Sequence, residues 1–298
     1  MLGIRRLRVN YSQRVAIRPR YLLAVAALCA GGVALLRVLA FDVAGLHRRD
    51  ALALHDFMLL DRPVTHHVAD VVANLASPPG YALIGGALIA IALARGRRPV
   101  ALAAATILLG SAVTTDDVLK PALAAPRFAG VLQWHQIGSA SFPSGHATAS
   151  MALALCGVLV PGARWRPLAA AVGAAFAIAV SYAFLSLGWH YPSDVLGGYL
   201  VAAFWASVAV ATLSWWESRQ PASKARRRSL PAFAWGPAAG AVLLVVVVAL
   251  ATLAVVSPER TLHYMRDHAV FTAAAGAIAA AGVFVAGGLA VALRDRPD

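Results

Sequence analysis

Charge is scarce in this sequence. Of 298 residues, 13% are Asp, Glu, Lys or Arg and 60% are hydrophobic, whereas an average soluble domain carries about 25% charged residues. A soluble fold of this size has too little interior to hide that apolar excess. Glutamate occurs only at 217 and 259, which nearly excludes chemistry built on paired glutamates. Cysteine occurs twice, Cys29 and Cys156, each inside an apolar run, so both read as buried thiols rather than a disulfide. Basic residues are not scarce: 26 Lys and Arg against 13 acids give a net charge of +13. They form short clusters between apolar runs rather than one basic face, so no nucleic-acid partner is expected and an integral membrane protein is.

Apolar windows near the ~20 residues that cross a bilayer lie at 21–41, 77–94, 99–119, 143–160, 167–187, 195–214, 236–256 and 270–293. They predict an all-α polytopic membrane protein. The positive-inside rule places both termini in the cytoplasm: on that assignment 18 basic residues fall on the cytoplasmic side and 7 outside, with Arg37 inside the first span. The expected divisions are a basic arm at 1–20, a core at 21–215, a basic linker at 216–235, and two further helices with a short tail at 236–298. Within the core, 42–76 reads as an extracytoplasmic interfacial segment of short amphipathic helices. Its His47, His55, His66 and His67 lack acidic or cysteine partners at ligand spacing and read as interfacial histidines rather than a metal site.

The remaining polar residues gather in three patches, each expected on the extracytoplasmic side, and polar groups at membrane depth are functional candidates. The first is Asp116, Asp117 and Lys120, followed by Pro121, Pro126 and Arg127, with a loop expected after Pro121. Two cations beside a membrane suit an anionic headgroup, Arg127 offering a fork for phosphate, though interfacial snorkelling also accounts for them. Asp116 and Asp117 read as helical partners of Lys120 rather than a Mg²⁺-binding pair. The second patch, Ser141–His146, precedes an apolar helix, and the free N–H groups of that helix start form an anion site; capping alone explains Ser144 but not His146. The third is Gly188–Asp194, in which His190 and Asp194 are four residues apart. A carboxylate on one ring nitrogen fixes the tautomer and makes the other nitrogen a better nucleophile. Two histidines with two cations suggest metal-free phosphoryl transfer through a phosphohistidine.

Lys120 to Arg127, the Pro143-Ser144-Gly145-His146 tetrad and Gly188-x-His190-Tyr191-Pro192-Ser193-Asp194 resemble the three signature motifs of the type 2 phosphatidic acid phosphatase (PAP2) superfamily. The resemblance covers about residues 20–215 and implies a six-helix PAP2-like bundle plus two additional C-terminal transmembrane helices. It implies that His190 attacks phosphorus, Asp194 orients it, and His146 protonates the leaving oxygen and then activates water. Lys120, Arg127, Ser144 and the Gly145 backbone would hold the phosphoryl oxygens. No metal or other cofactor is implied. The substrate class is a lipid phosphate or diphosphate at the extracytoplasmic face of the cell membrane, such as undecaprenyl diphosphate or phosphatidate, and some members are transferases.

Two departures stand out. Arg127 is followed by Phe128 where the family has proline. Ala183 and Phe184 stand where the third motif opens with Ser-Arg. Losing a charge-assisted phosphate contact in a transition state costs about 3–4 kcal/mol, or 10²–10³ in rate. Arg260, Arg266 and His135 are candidate replacements for the missing cation. A catalytically silent lipid-phosphate binder, or a phosphotransferase, is the alternative function.

Overall fold

The computed structural model describes residues 18–127, 132, 137–219 and 258–294, and all regular structure among them is helical. The chain runs through α1 (Pro19–Asp42), α2 (Ala44–Met58), α3 (Pro63–Asn74), α4 (Pro78–Ala94) and α5 (Arg98–Val113). A π-helical turn (Thr114–Leu119) leads into the short α6 (Lys120–Leu123), and then come α7 (Gly145–Leu159), α8 (Arg166–Ser186), α9 (Pro192–Arg219), α10 (Pro258–Asp267) and α11 (Ala269–Ala292). Among the described residues five stretches are long and apolar enough to cross a membrane: α1, α5 through α6, the segment ending in α8, α9 and α11. The pair α3 and α4, bent by 50°, is a sixth if counted as one span. The protein is a multi-pass, all-α membrane protein.

The expected windows at 21–41, 77–94, 99–119, 143–160, 167–187, 195–214 and 270–293 fall on helices, but those at 77–94 and 143–160 form helices too short to span alone. The window at 143–160 forms α7, whose 15 residues extend only about 22 Å at 1.5 Å per residue. Pro143 and the Ser144 cap start it late, so its first turn begins inside the bundle. It is the central helix, packed against α8, α9, α5, α4 and α11, and Met151 through Cys156 are all buried. Its close approach to α9 requires glycine: a side chain at Gly198 would stand 2.8 Å from the Ser144 carbonyl oxygen and from the Thr148 nitrogen.

The helix of the first patch also runs further than expected. Pro121 occupies the first turn of α6, directly after a π-helical turn, and the helix continues past it to Leu123. The π turn before it is pinned on both sides: Thr115 donates to Thr148 Oγ1 of α7 at 3.2 Å, and Trp205 Nε1 of α9 donates to Thr114 Oγ1 at 2.9 Å.

α2 and α3 are the short helices expected between the first two spans. α11 is an integral part of the bundle, lying against α8, α2, α9 and α7. The Tyr182 hydroxyl donates to the Ala275 carbonyl at 2.7 Å, and Phe57 meets Phe271 edge to face at 4.6 Å. Cys29 and Cys156 are free and buried. The arm at 1–17, Phe128, His135, the linker from 220 and the window 236–256 lie outside the described residues, as does the Arg260 side chain.

Candidate active site

The three patches meet at one end of the bundle, each carried there by a helix terminus. Ser144 caps α7, fully buried, its hydroxyl accepting from Ala147 N at 3.3 Å. This is the capping role that sequence alone already allowed for it. Gly145 follows, and a side chain there would stand 3.1 Å from Lys120 Nζ and 3.3 Å from Asp116 Oδ1. The first patch therefore lies directly on the start of α7, where unpaired N–H groups and the helix dipole favour anions. Lys120 Nζ donates to Asp116 Oδ1 at 2.7 Å, the i,i+4 pair expected from the sequence. Among the described residues no group of three or more His, Cys, Asp or Glu gathers to hold a metal ion.

The third patch folds back over α7 through a left-handed glycine. Gly188 has φ of +73°, a conformation L side chains resist, and its N–H bonds back to Leu185 O while Trp189 N bonds to Phe184 O. Tyr191 N donates to Asp194 Oδ2 at 3.0 Å, closing the turn into α9, and Ser144 N donates to the Asp194 carbonyl at 3.0 Å, joining second motif to third. His190 Nδ1 lies 3.5 Å from Asp194 Oδ2, too loosely aligned for a hydrogen bond. The His146 and His190 ring centroids are 6.4 Å apart.

Phe184 stands where the motif resemblance in the sequence implies arginine. It is fully buried, its ring 5.9 Å from that of His146 and edge to face with that of His190 at 5.4 Å. Trp189 lies 5.4 Å from His146 on another side. Arg266, one candidate replacement cation, is exposed on α10.

Arg127 reaches the site with both terminal nitrogens of its guanidinium engaged by protein groups. Nη1 donates to Asp194 Oδ1 at 2.6 Å, and Nη2 donates to Ser193 Oγ at 3.0 Å and to Asp50. The Tyr191 and Phe41 ring centroids lie 3.9 and 4.4 Å from its guanidinium carbon, within cation–π range. Asp50, on α2, also accepts from Ser193 N at 3.1 Å and from Ser193 Oγ at 2.6 Å. Three donors on two oxygens suit an ionised carboxylate. Burial pushes this carboxyl up, against the downward pull of Arg127 and Ser193. Burial likewise pushes the Tyr191 phenol up to about 12, so its ring meets Arg127 as a neutral π face. Asp50 and Phe41 escaped sequence reasoning because nothing local links either of them to position 127 or 193.

Residues 96–220 match the model of the PAP2 superfamily. Over this region the chain is similar to the PAP2 superfamily. The matched stretch holds His146, His190, Asp194, Lys120, Arg127, Ser144 and Gly145, and the match indicates phosphatase-type chemistry on lipid phosphates in general. No curated protein and no solved structure matches the chain. α1, α2 and α11, which pack against this region, lie outside the matched residues.

Proposed function

We propose that this protein hydrolyses a membrane lipid phosphate or diphosphate, of the polyprenyl diphosphate or phosphatidate class, at the extracytoplasmic face of the cell membrane. The observation that carries the reading is the convergence of His146, the His190–Asp194 pair and Lys120 on the start of α7. Both termini are cytoplasmic in this reading, which rests on the distribution of basic residues along the sequence.

Asp194 faces Nδ1 of His190, so Nδ1 holds the proton and Nε2 keeps the lone pair. Nε2 attacks phosphorus in line, the bond from phosphorus to the lipid oxygen breaks, and His146 gives its proton to that oxygen. Water then attacks the phosphohistidine, His146 takes the proton of that water, the P–N bond breaks, and inorganic phosphate leaves. Lys120 and the N–H groups at Gly145 stabilise the charge on the phosphoryl oxygens. Arg127 and Ser144 are further phosphate ligands in this reading; Arg127 reaches substrate by yielding a carboxylate, and Ser144 by turning from its cap.

Detergent-purified protein is expected to release phosphate from a polyprenyl diphosphate in the presence of EDTA, and His190→Ala is expected to reduce release to background. Turnover that requires a metal, or that is indifferent to His190, overturns the mechanism. One observation favours a second reading, a silent lipid-phosphate binder: Phe184 fills the arginine position completely. Binding of the lipid without phosphate release would select it.

A further inference from the structure

Carboxylates outnumber cations in this site: Lys120 and Arg127 are paired with Asp116, Asp50 and Asp194. Asp50 stands apart from the other two. It comes from α2, outside the matched region, and its side chain is 11% exposed. It takes Nη2 of Arg127 while Asp194 takes Nη1, so both prongs of the guanidinium fork end on carboxylates. Nε is buried without a partner, and the whole side chain is 1% exposed. A fork held in this way has no N–H pair left to grip a phosphoryl group bidentately.

We propose that Asp50 is a gating counter-charge, one that a phosphoryl group must displace before Arg127 can bind it. The inference rests on the reading that a lipid phosphate binds here. A terminal phosphate is a dianion near neutral pH with three acceptor oxygens, and it competes well against a carboxylate for one guanidinium. A phosphodiester has one charge and two free oxygens, and competes poorly. Displacing Asp50 costs the same for either anion, so it raises a threshold that terminal phosphates and diphosphates pass and the diester headgroups of the surrounding bilayer do not. The Ser193 hydroxyl, now donating to Asp50, is released by the same displacement.

The test uses the full chain in detergent, with inorganic phosphate and dimethyl phosphate as probes. The readout is the thermal unfolding midpoint against probe concentration, with lipid-phosphate hydrolysis by the unsubstituted protein measured in parallel. Asp50→Asn keeps the shape and removes the charge. It is expected to tighten binding of both probes by about tenfold, from the removal of one nearby like charge, with inorganic phosphate, which carries more charge, gaining at least as much as dimethyl phosphate. Asp50→Ser, a smaller neutral residue, carries the same expectation should the asparagine variant fold poorly, and Asp50→Glu is expected to keep the original affinities. Unchanged or weaker binding of both probes in the neutral variants overturns the proposal. If the unsubstituted protein hydrolyses nothing and binds neither probe while the neutral variants bind, Asp50 is the counter-charge and the hydrolase reading falls. If neither the unsubstituted protein nor the neutral variants bind, both fall.

Discussion

The two ends of the helix bundle use their basic residues differently. At the end away from the site, Arg97 donates to the Val160 carbonyl at 2.7 Å and the buried Arg166 donates to the Leu293 carbonyl. These acceptors follow the last residues of α7 and α11, where helix carbonyls lack intrahelical partners and the dipole favours cations. At the site end, Lys120 and Arg127 are held by the side-chain carboxylates of Asp116, Asp50 and Asp194. A backbone carbonyl is fixed by its helix, whereas a carboxylate is an anion that another anion can replace. One end fixes its cations on backbone; at the other, under the proposed gating, a phosphoryl group displaces one of their carboxylate partners.

The substitution expected to break this contrast most strongly restores the family's cation at position 184. Phe184→Arg puts a guanidinium into a site with no exposure, against two histidine rings. The nearest acid of the third motif, Asp194, is already paired with Arg127. An uncompensated buried charge costs roughly 3–5 kcal/mol, so the variant is expected to unfold at a markedly lower temperature and to release phosphate more slowly than its parent. Saturating inorganic phosphate should recover part of the lost stability by supplying the missing anion. A variant that instead gains turnover shows a site that still holds room for the cation, and favours the silent reading of the parent.

Phe184 also shows where sequence reasoning works and where it stops. The helices were legible because run length and flanking charge are local properties, and the first- and third-patch pairs were legible because four residues is one helical turn. Both Asp116–Lys120 and His190–Asp194 are of that kind. Asp50 was not legible: its contacts lie 77 and 143 residues away, and one acid among the basic and histidine residues of 47–50 reads as interfacial. The packing of α11 was equally hidden. It is apolar all round, and such a helix presents the same pattern to lipid as to protein; only the structure shows Gly282 against Ile178 and Tyr199 of α8 and α9. The sequence identified the change at 184 but not its consequence, since a missing cation does not say what fills its place.

At the opposite end, Arg166 tests whether that end serves stability alone. It is among the largest fully buried side chains of the described residues, and its bond to Leu293 ties the end of α11 to the start of α8. A hydrogen bond from a charged group contributes about 1.5–3 kcal/mol, so Arg166→Ala is expected to lower the unfolding midpoint by an amount corresponding to that range. Phosphate release per folded molecule at low temperature should be retained. A loss of activity that exceeds the loss of folded protein would mean that the docking of α11 reaches the site through α2, where His268 lies 3.2 Å from Asp56.

Arg97→Ala is the mildest and most discriminating comparison. Arg97 also bonds a helix-end carbonyl, but it is partly buried, so water can replace the lost donor at Val160. The expected cost is about 0.5–1.5 kcal/mol. α7 connects Arg97's carbonyl partner to the first turn that carries His146, so any slackening of the lower end of this helix has a direct route to the catalytic end. Its dense packing against five other helices argues that the slackening is absorbed before it arrives. The measurement is the KM and kcat of phosphate release by Arg97→Ala at a temperature where it is fully folded. Unchanged values are expected. A changed kcat at unchanged KM would show that the two ends of α7 are mechanically coupled, and that the division between a holding end and an exchanging end is incomplete.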